Sequence, residues 1–194
     1  MATGGVRTGP RVKGVAFRTI DACYFEIRGA KCHERARQLM DPELRDAFDR
    51  GMILAASWYS IDWYRDAFRA FRQASNDGPD LPRMIGYQAV KRDMSSTYKM
   101  MFARIVSPQT LLSLSGKLFS QYYDTGTFDV LESRKGYAQV LLSGCVGWDA
   151  NMWTEMYGSC NAFLDAAGAT EVRLRTKSGG RDGDTETELE AFWV

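Results

Sequence analysis

The stretch Thr127-Phe128-Asp129-Val130-Leu131-Glu132-Ser133-Arg134-Lys135-Gly136-Tyr137-Ala138-Gln139-Val140-Leu141-Leu142 decides the fold. Phe128 and Val130 alternate with Asp129 and Leu131, and Ala138, Val140 and Leu142 alternate again after the Ser133-Arg134-Lys135-Gly136 turn. A period of two places successive side chains on opposite faces of a strand, so the two runs read as an antiparallel pair.

Upstream the apolar residues recur with helical period instead. Asp41-Pro42-Glu43-Leu44 carries a capping carboxylate, a first-turn proline and an acid at the positive end of the macrodipole, and it predicts a helix closing at Gly51. Ser60 opens a second helix in which Ile61, Tyr64, Phe68 and Phe71 share a face, and Asn76-Asp77-Gly78-Pro79 ends it. Met84, Tyr87, Val90, Met94, Tyr98, Met101 and Ile105 extend the period from Pro82 to Ile105, which predicts a long central helix. Ser107-Pro108 starts another, with Leu111, Leu114, Leu118 and Tyr122 as its buried stripe. Near the N-terminus, Val12 to Arg18 reads as a short strand, followed by a helix from Thr19 that stops at Gly29.

Downstream of the first hairpin, Met152, Met156, Cys160, Phe163 and Ala167 mark a helix from about Asp149 to Ala167, closed by Gly168. Val172 and Leu174, then Leu189, Ala191 and Trp193, supply two more strands joined through the glycine-rich segment 179–183. The expected class is therefore α+β, a helical N-terminal half packed on a C-terminal antiparallel ββαββ sheet unit. Residues 1–10, rich in Gly and Thr, are expected to be a flexible tail, and 11–194 a single domain.

Composition removes several function classes. The 25 basic residues nearly cancel the 24 acidic ones, so the electrostatic footprint of duplex nucleic-acid binding is missing. No apolar run reaches the roughly 18 residues a membrane span requires, no secretory signal pattern opens the chain, and a cytoplasmic location is expected. Cys23, Cys32, Cys145 and Cys160 form no Cys-x-x-Cys pair and no disulfide framework; they read as free thiols, the last two as small core hydrophobes.

The order of elements, with Val12-Lys13-Gly14, Trp58-Tyr59, Trp63-Tyr64, Ile85-Gly86, Tyr122-Tyr123-Asp124 and the Gly158 to Gly168 helix, resembles the superfamily of vinyl-4-reductase domains, haem–nitric-oxide-binding domains and TRAPP small subunits. The nearest look-alike is a myxobacterial family of about 200 residues, and the likeness covers about residues 11–194. It implies a fold more than an activity. Haem–nitric-oxide-binding domains use a proximal His on a helix and a Tyr-x-Ser-x-Arg clamp, and this sequence has neither; its one His, His33, lies in a polar stretch and reads as a surface residue. The cysteines do not match the zinc site or the acylated position of other relatives, so no functional residue carries over and no cofactor is expected.

No phosphate loop, Gly-x-Ser-x-Gly elbow or His-Glu-x-x-His helix occurs, and no acid/base pair stands out among 24 dispersed carboxylates. Asp182-Gly183-Asp184-Thr185-Glu186 lacks the remaining ligand spacing of a calcium loop and reads as a hairpin tip, so no metal ligand is assigned. Glu186, Glu188 and Glu190 alternate as an exposed strand face. Several of the aromatics are expected to be core, yet the set is richer than a plain core needs. Trp58, Tyr87, Met94, Met101, Trp148, Met152 and Met156 are the candidate lining of an apolar pocket, while Trp63, Ala67 and Ala70, a second strip on the helix from Ile61, are the candidate protein interface. The expectation is a non-enzymatic interaction or scaffolding module, a homodimer or assembly subunit whose partner is itself or another protein. The alternative is a sensor domain for a small apolar ligand.

Overall fold

A computed structural model of the chain describes residues 9–95 and 107–194. Five helices lie before Tyr123 among these residues: α1 (Gly14–Leu39), α2 (Pro42–Asp49), α3 (Ile61–Ser75), α4 (Asp80–Ser95) and α5 (Pro108–Tyr122). Two short strands, β1 (Arg11–Lys13) and β2 (Trp58–Ser60), pair antiparallel beside them. The hairpin β3 (Thr127–Arg134) and β4 (Tyr137–Ser143) follows, then α6 (Ala150–Ala166) and the second hairpin β5 (Arg173–Gly179) and β6 (Thr187–Phe192). The α+β class and the ββαββ unit read from the sequence are those of the structure. Tyr98, Met101 and Ile105 of the expected central helix, and most of the expected N-terminal tail, lie outside the described residues.

The helix starts follow local chemistry. Asp41 Oδ1 accepts from the Glu43 and Leu44 amides, Ser60 Oγ from Asp62 N, Ser107 Oγ from Thr110 N and Asp149 Oδ1 from Met152 N. Each satisfies an amide that a helix N-terminus leaves without a partner. The N-terminal region departs from expectation. α1 begins directly at Gly14 and continues beyond Gly29 to Leu39, although Gly29 itself is non-helical with φ 76°. Only glycine adopts that backbone without strain, so the residue read as a stop is an internal break. On its first half Ala16, Phe17, Ile20, Cys23 and Tyr24 are buried, Phe17 edge-on to Tyr64 and Tyr24 stacked on Phe71 of α3.

The four-stranded sheet has the order β3-β4-β6-β5, every neighbouring pair antiparallel. β4 and β5 therefore run in the same direction with β6 between them, and α6 makes the crossover that joins them. This places β6 in the interior of the sheet, which corrects the reading of its glutamates as an open face. Glu188 is held by Lys177 Nζ at 2.7 Å, and Glu190 by Arg175 Nε at 2.7 Å and the Tyr137 hydroxyl at 3.0 Å, all from adjacent strands.

α6 also crosses α4, and two glycines set how closely. A methyl group on Gly86 would lie 2.1 Å from the carbonyl oxygen of Glu155, and one on Gly158 2.0 Å from that of Arg83. Both are far inside van der Waals contact, so the helices meet backbone to backbone. This crossing fixes where the side chain of Glu155 points relative to α4 and the sheet.

Candidate functional site

The helical half and the sheet do not close completely on each other. Between the first turns of α1, the second half of α4, α5, α6 and the inner face of the sheet lies a cavity of about 120 Å³. Its apolar walls include Ile20, Leu112, Phe119, Phe128, Val140, Met156, Phe163 and Leu189. The volume is comparable with the roughly 150 Å³ of an engineered apolar cavity that admits benzene.

A polar strip runs along one side. Asp93 on α4 is buried, its Oδ1 accepting from Thr19 Oγ1 at 3.1 Å and its Oδ2 from the Tyr122 hydroxyl at 2.9 Å. Glu155 on α6 is 5% exposed, with the Tyr123 hydroxyl 3.3 Å from Oε2 and Ser159 Oγ 3.3 Å from Oε1. Ser159 Oγ is equally distant from the Gly86 carbonyl oxygen, so its single proton is shared between two acceptors. Burial pushes the Glu155 carboxyl up to about 7, with the charge of Asp93 adding to it, and desolvation raises Asp93 in the same direction. Burial also lifts the Cys160 thiol to about 12 and the Tyr64 and Tyr123 phenols well above their usual range. Among the described residues the cavity wall carries no Lys, Arg or His, and no group of three or more His, Cys, Asp or Glu side chains is placed to hold a metal ion.

Of the residues the sequence proposed for a pocket, the structure brings Met156 to this cavity. Trp58 is half-buried on β2 under Lys13, and Tyr87 turns its hydroxyl to Asp165 at 2.7 Å. Trp148 packs on Tyr123, Phe119 and Trp153, Met152 is wholly in the core, and Met94 joins a small cluster with Leu111 and Leu164. Met101 lies outside the described residues. The expected interface strip is corrected as well: Ala67 and Ala70 are 0% exposed, because α3 is covered on that side also, and Trp63 is half-buried against Tyr59. His33 is half-buried on the second half of α1 and pairs through Nε2 with Asp21 at 2.9 Å, away from the cavity. Cys145 is in the core as read, whereas Cys160 is half-buried and lines the cavity.

Sequence reasoning missed Asp93 and Glu155. A signal for the second exists: Glu155 lies beside Met152, Trp153 and Met156 on the apolar side of α6, and Glu155 and Asp165 are the helix's only carboxylates. A mid-helix acid in such a segment has to be buried.

No family model matches the sequence, and no curated protein matches it either. Solved structures do match in fold. An Fe(II) unliganded H-NOX protein from K. algicida shares 14% identity and a TM-score of 0.70, over 94% of this chain and 96% of that one. An oxygen-binding H-NOX domain related to soluble guanylate cyclases, in its oxygen complex, shares 13% identity and a TM-score of 0.68 over 93% and 94%. A structure on modulating heme redox potential through porphyrin distortion shares 11% and 0.65 over 93% and 99%. The fold of the chain is thus that of the H-NOX domains.

The described lining of the cavity does not fit a His-ligated haem with paired propionates. No imidazole or cationic side chain lies among its described lining residues, its one thiol is held protonated by burial, and its polar groups are carboxyls and hydroxyls. A proximal imidazole and a cation to pair the propionates are both missing among these residues.

Proposed function

We propose that the chain is a ligand-sensing domain that takes a small organic molecule with an apolar body into the cavity between α1, α4, α5, α6 and the sheet. The observation that carries this reading is the cavity itself, an apolar space of about 120 Å³ placed where both halves of the fold meet. Close-packed interiors keep few voids larger than a water molecule, so a space of this size is a site in search of an occupant. The H-NOX neighbours support the sensing role by their fold and by the oxygen complex of one of them, while the donor set argues for a different ligand here.

Thermal denaturation with toluene as probe, alongside native mass spectrometry of freshly purified protein, tests the reading. A ligand present at about 100 times its Kd stabilises by about 2.7 kcal/mol, several degrees in Tm for a domain of this size. Ser115→Leu, which fills the space from α5, should raise Tm by itself and abolish the response to toluene. A Tm indifferent to toluene, with no retained small molecule, overturns the proposal.

The scaffolding role keeps one feature in its favour. Met52 and Leu54 are exposed, Leu54 at 59%, and the Tyr59 hydroxyl bonds the backbone of both while its ring stacks on Trp63. A second copy of the chain is the simplest partner for that patch, and light scattering of Leu54→Glu against the parent tests it: equal mass for both, at every concentration, removes the interface.

A further inference from the structure

We infer that the ligand of this cavity is a small amine with an apolar, ring-sized body, its ammonium group docked on Glu155 with Asp93 beside it. The inference rests on the proposed role of the cavity as a ligand site and adds the chemical class. It starts from the coordination of Glu155. Both of its hydroxyl partners stand at 3.3 Å, beyond the 2.5–3.0 Å usual for O–H···O bonds, and among the described residues no cation pairs with it. A carboxyl group so weakly held and so deeply buried is expensive when ionised unless a charge of opposite sign reaches it.

The surroundings decide what that charge can be. Facing Glu155 are Tyr64 from α3, Tyr123 from α5, Cys23 from α1, Cys160 from its own helix and Asp93 from α4. The phenols and thiols are pushed too high by burial to ionise near neutrality, and the sheet contributes apolar side chains, so among the described residues the two carboxyls, offset in part by the Arg92 guanidinium near Asp93, set the sign of the field at Glu155. That field repels carboxylates and phosphates. A hydrocarbon would leave Glu155 as weakly bonded as before. An ammonium group supplies up to three donors and the compensating charge, and Phe119, Phe128 and Phe163 offer ring faces that favour both an apolar body and a nearby cation. The volume, near that of a benzene-holding cavity, limits the body to about one ring and a short arm.

Four probes of nearly one shape separate the possibilities by isothermal titration calorimetry: benzylamine, benzyl alcohol, toluene and benzoate, each at pH 6 and pH 8.5. Benzylamine should bind best at pH 8.5, by about tenfold or more over benzyl alcohol, with benzoate not binding. Its affinity should fall about tenfold at pH 6, where a carboxyl titrating near 7 is mostly protonated while the amine keeps its charge. Glu155→Gln should remove most of the preference and of the pH dependence, Asp93 supplying what remains, and leave toluene binding intact. Toluene binding without any advantage for benzylamine overturns the amine inference and leaves the cavity reading standing; failure of all four probes overturns both. Should Glu155→Gln not fold, the wild-type pH series decides alone, since a flat benzylamine affinity between pH 6 and pH 8.5 is incompatible with docking on Glu155.

Discussion

Glu155 and Glu190 are almost equally covered, at 5% and 8% exposure, yet the fold treats them oppositely. Glu190 lies on the outer face of the sheet beneath Tyr137 and Arg175, the latter exposed to water itself, and the Arg175 guanidinium holds its carboxyl below the usual range. Glu155 lies on the inner side, where burial raises its carboxyl to about 7 and hydroxyls alone attend it. The difference teaches that low exposure is not one condition. One carboxylate is buried by its own counterion, the other by hydrocarbon, and only the second is left with a charge for something outside the chain to answer.

The most drastic way to break this contrast is to spread the helices that define the inner environment. Gly158→Ala places a methyl group 2.0 Å from the Arg83 carbonyl oxygen, and a backbone oxygen within a helix cannot swing aside. Alanine gains about 1 kcal/mol of helix propensity over glycine, but overpacking at a backbone contact costs about 3 kcal/mol or more, so a net loss is expected in urea denaturation. Retained stability would mean that α4 and α6 are farther apart than described.

Glu155→Gln sharpens the contrast with a change in pH dependence. Because the folded carboxyl is raised from 4.5 to about 7, the native state binds more protons than the unfolded one between those values, and parental stability should fall as pH rises through that window. A shift of that size corresponds to about 3 kcal/mol at most. The variant should therefore be the more stable protein at pH 8 and should lose most of the downward slope, Asp93 supplying what remains. Equal slopes in the two proteins would show that Glu155 titrates normally.

The smallest expected effect is the mirror image. Glu190 has a lowered carboxyl, so its contribution is present above the ordinary glutamate range and disappears as pH falls through the folded value. Glu190→Gln should lower Tm slightly at pH 7 and not at all at pH 2, because its cation is at the surface. A drop in Tm as large at pH 2 as at pH 7 would assign Glu190 a packing role instead.

Much of the fold was legible because it is encoded over short spans. Asp41, Ser60, Ser107 and Asp149 announce helix starts by capping chemistry, and the change of period at Thr127 marks the sheet. Strand order is a different matter, since whether β6 ends inside or at the edge depends on pairing between segments far apart in sequence. The glutamates of β6 look like an open face for the same reason: Arg175 and Lys177 become their neighbours only once β5 is laid alongside. Pocket residues are harder still. Trp148 and Met152 have the composition of a pocket and serve as core, because a cavity is a gap between elements and no side chain type declares on which side of the gap it stands. Glu155 could have been found, since it sits between Trp153 and Met156 on the side of the helix that carries its large apolar residues.

Tyr123 joins the cavity to the N-terminal strand. Its hydroxyl reaches Glu155 inside the fold, while its backbone bridges to Val12 of β1 and the next residue, Asp124, clamps Arg11 through both its amide and its guanidinium. One residue touches both the interior carboxyl and the first strand. Tyr123 thus ties the buried carboxyl of Glu155 and the exposed Arg11 to adjacent positions of one short segment.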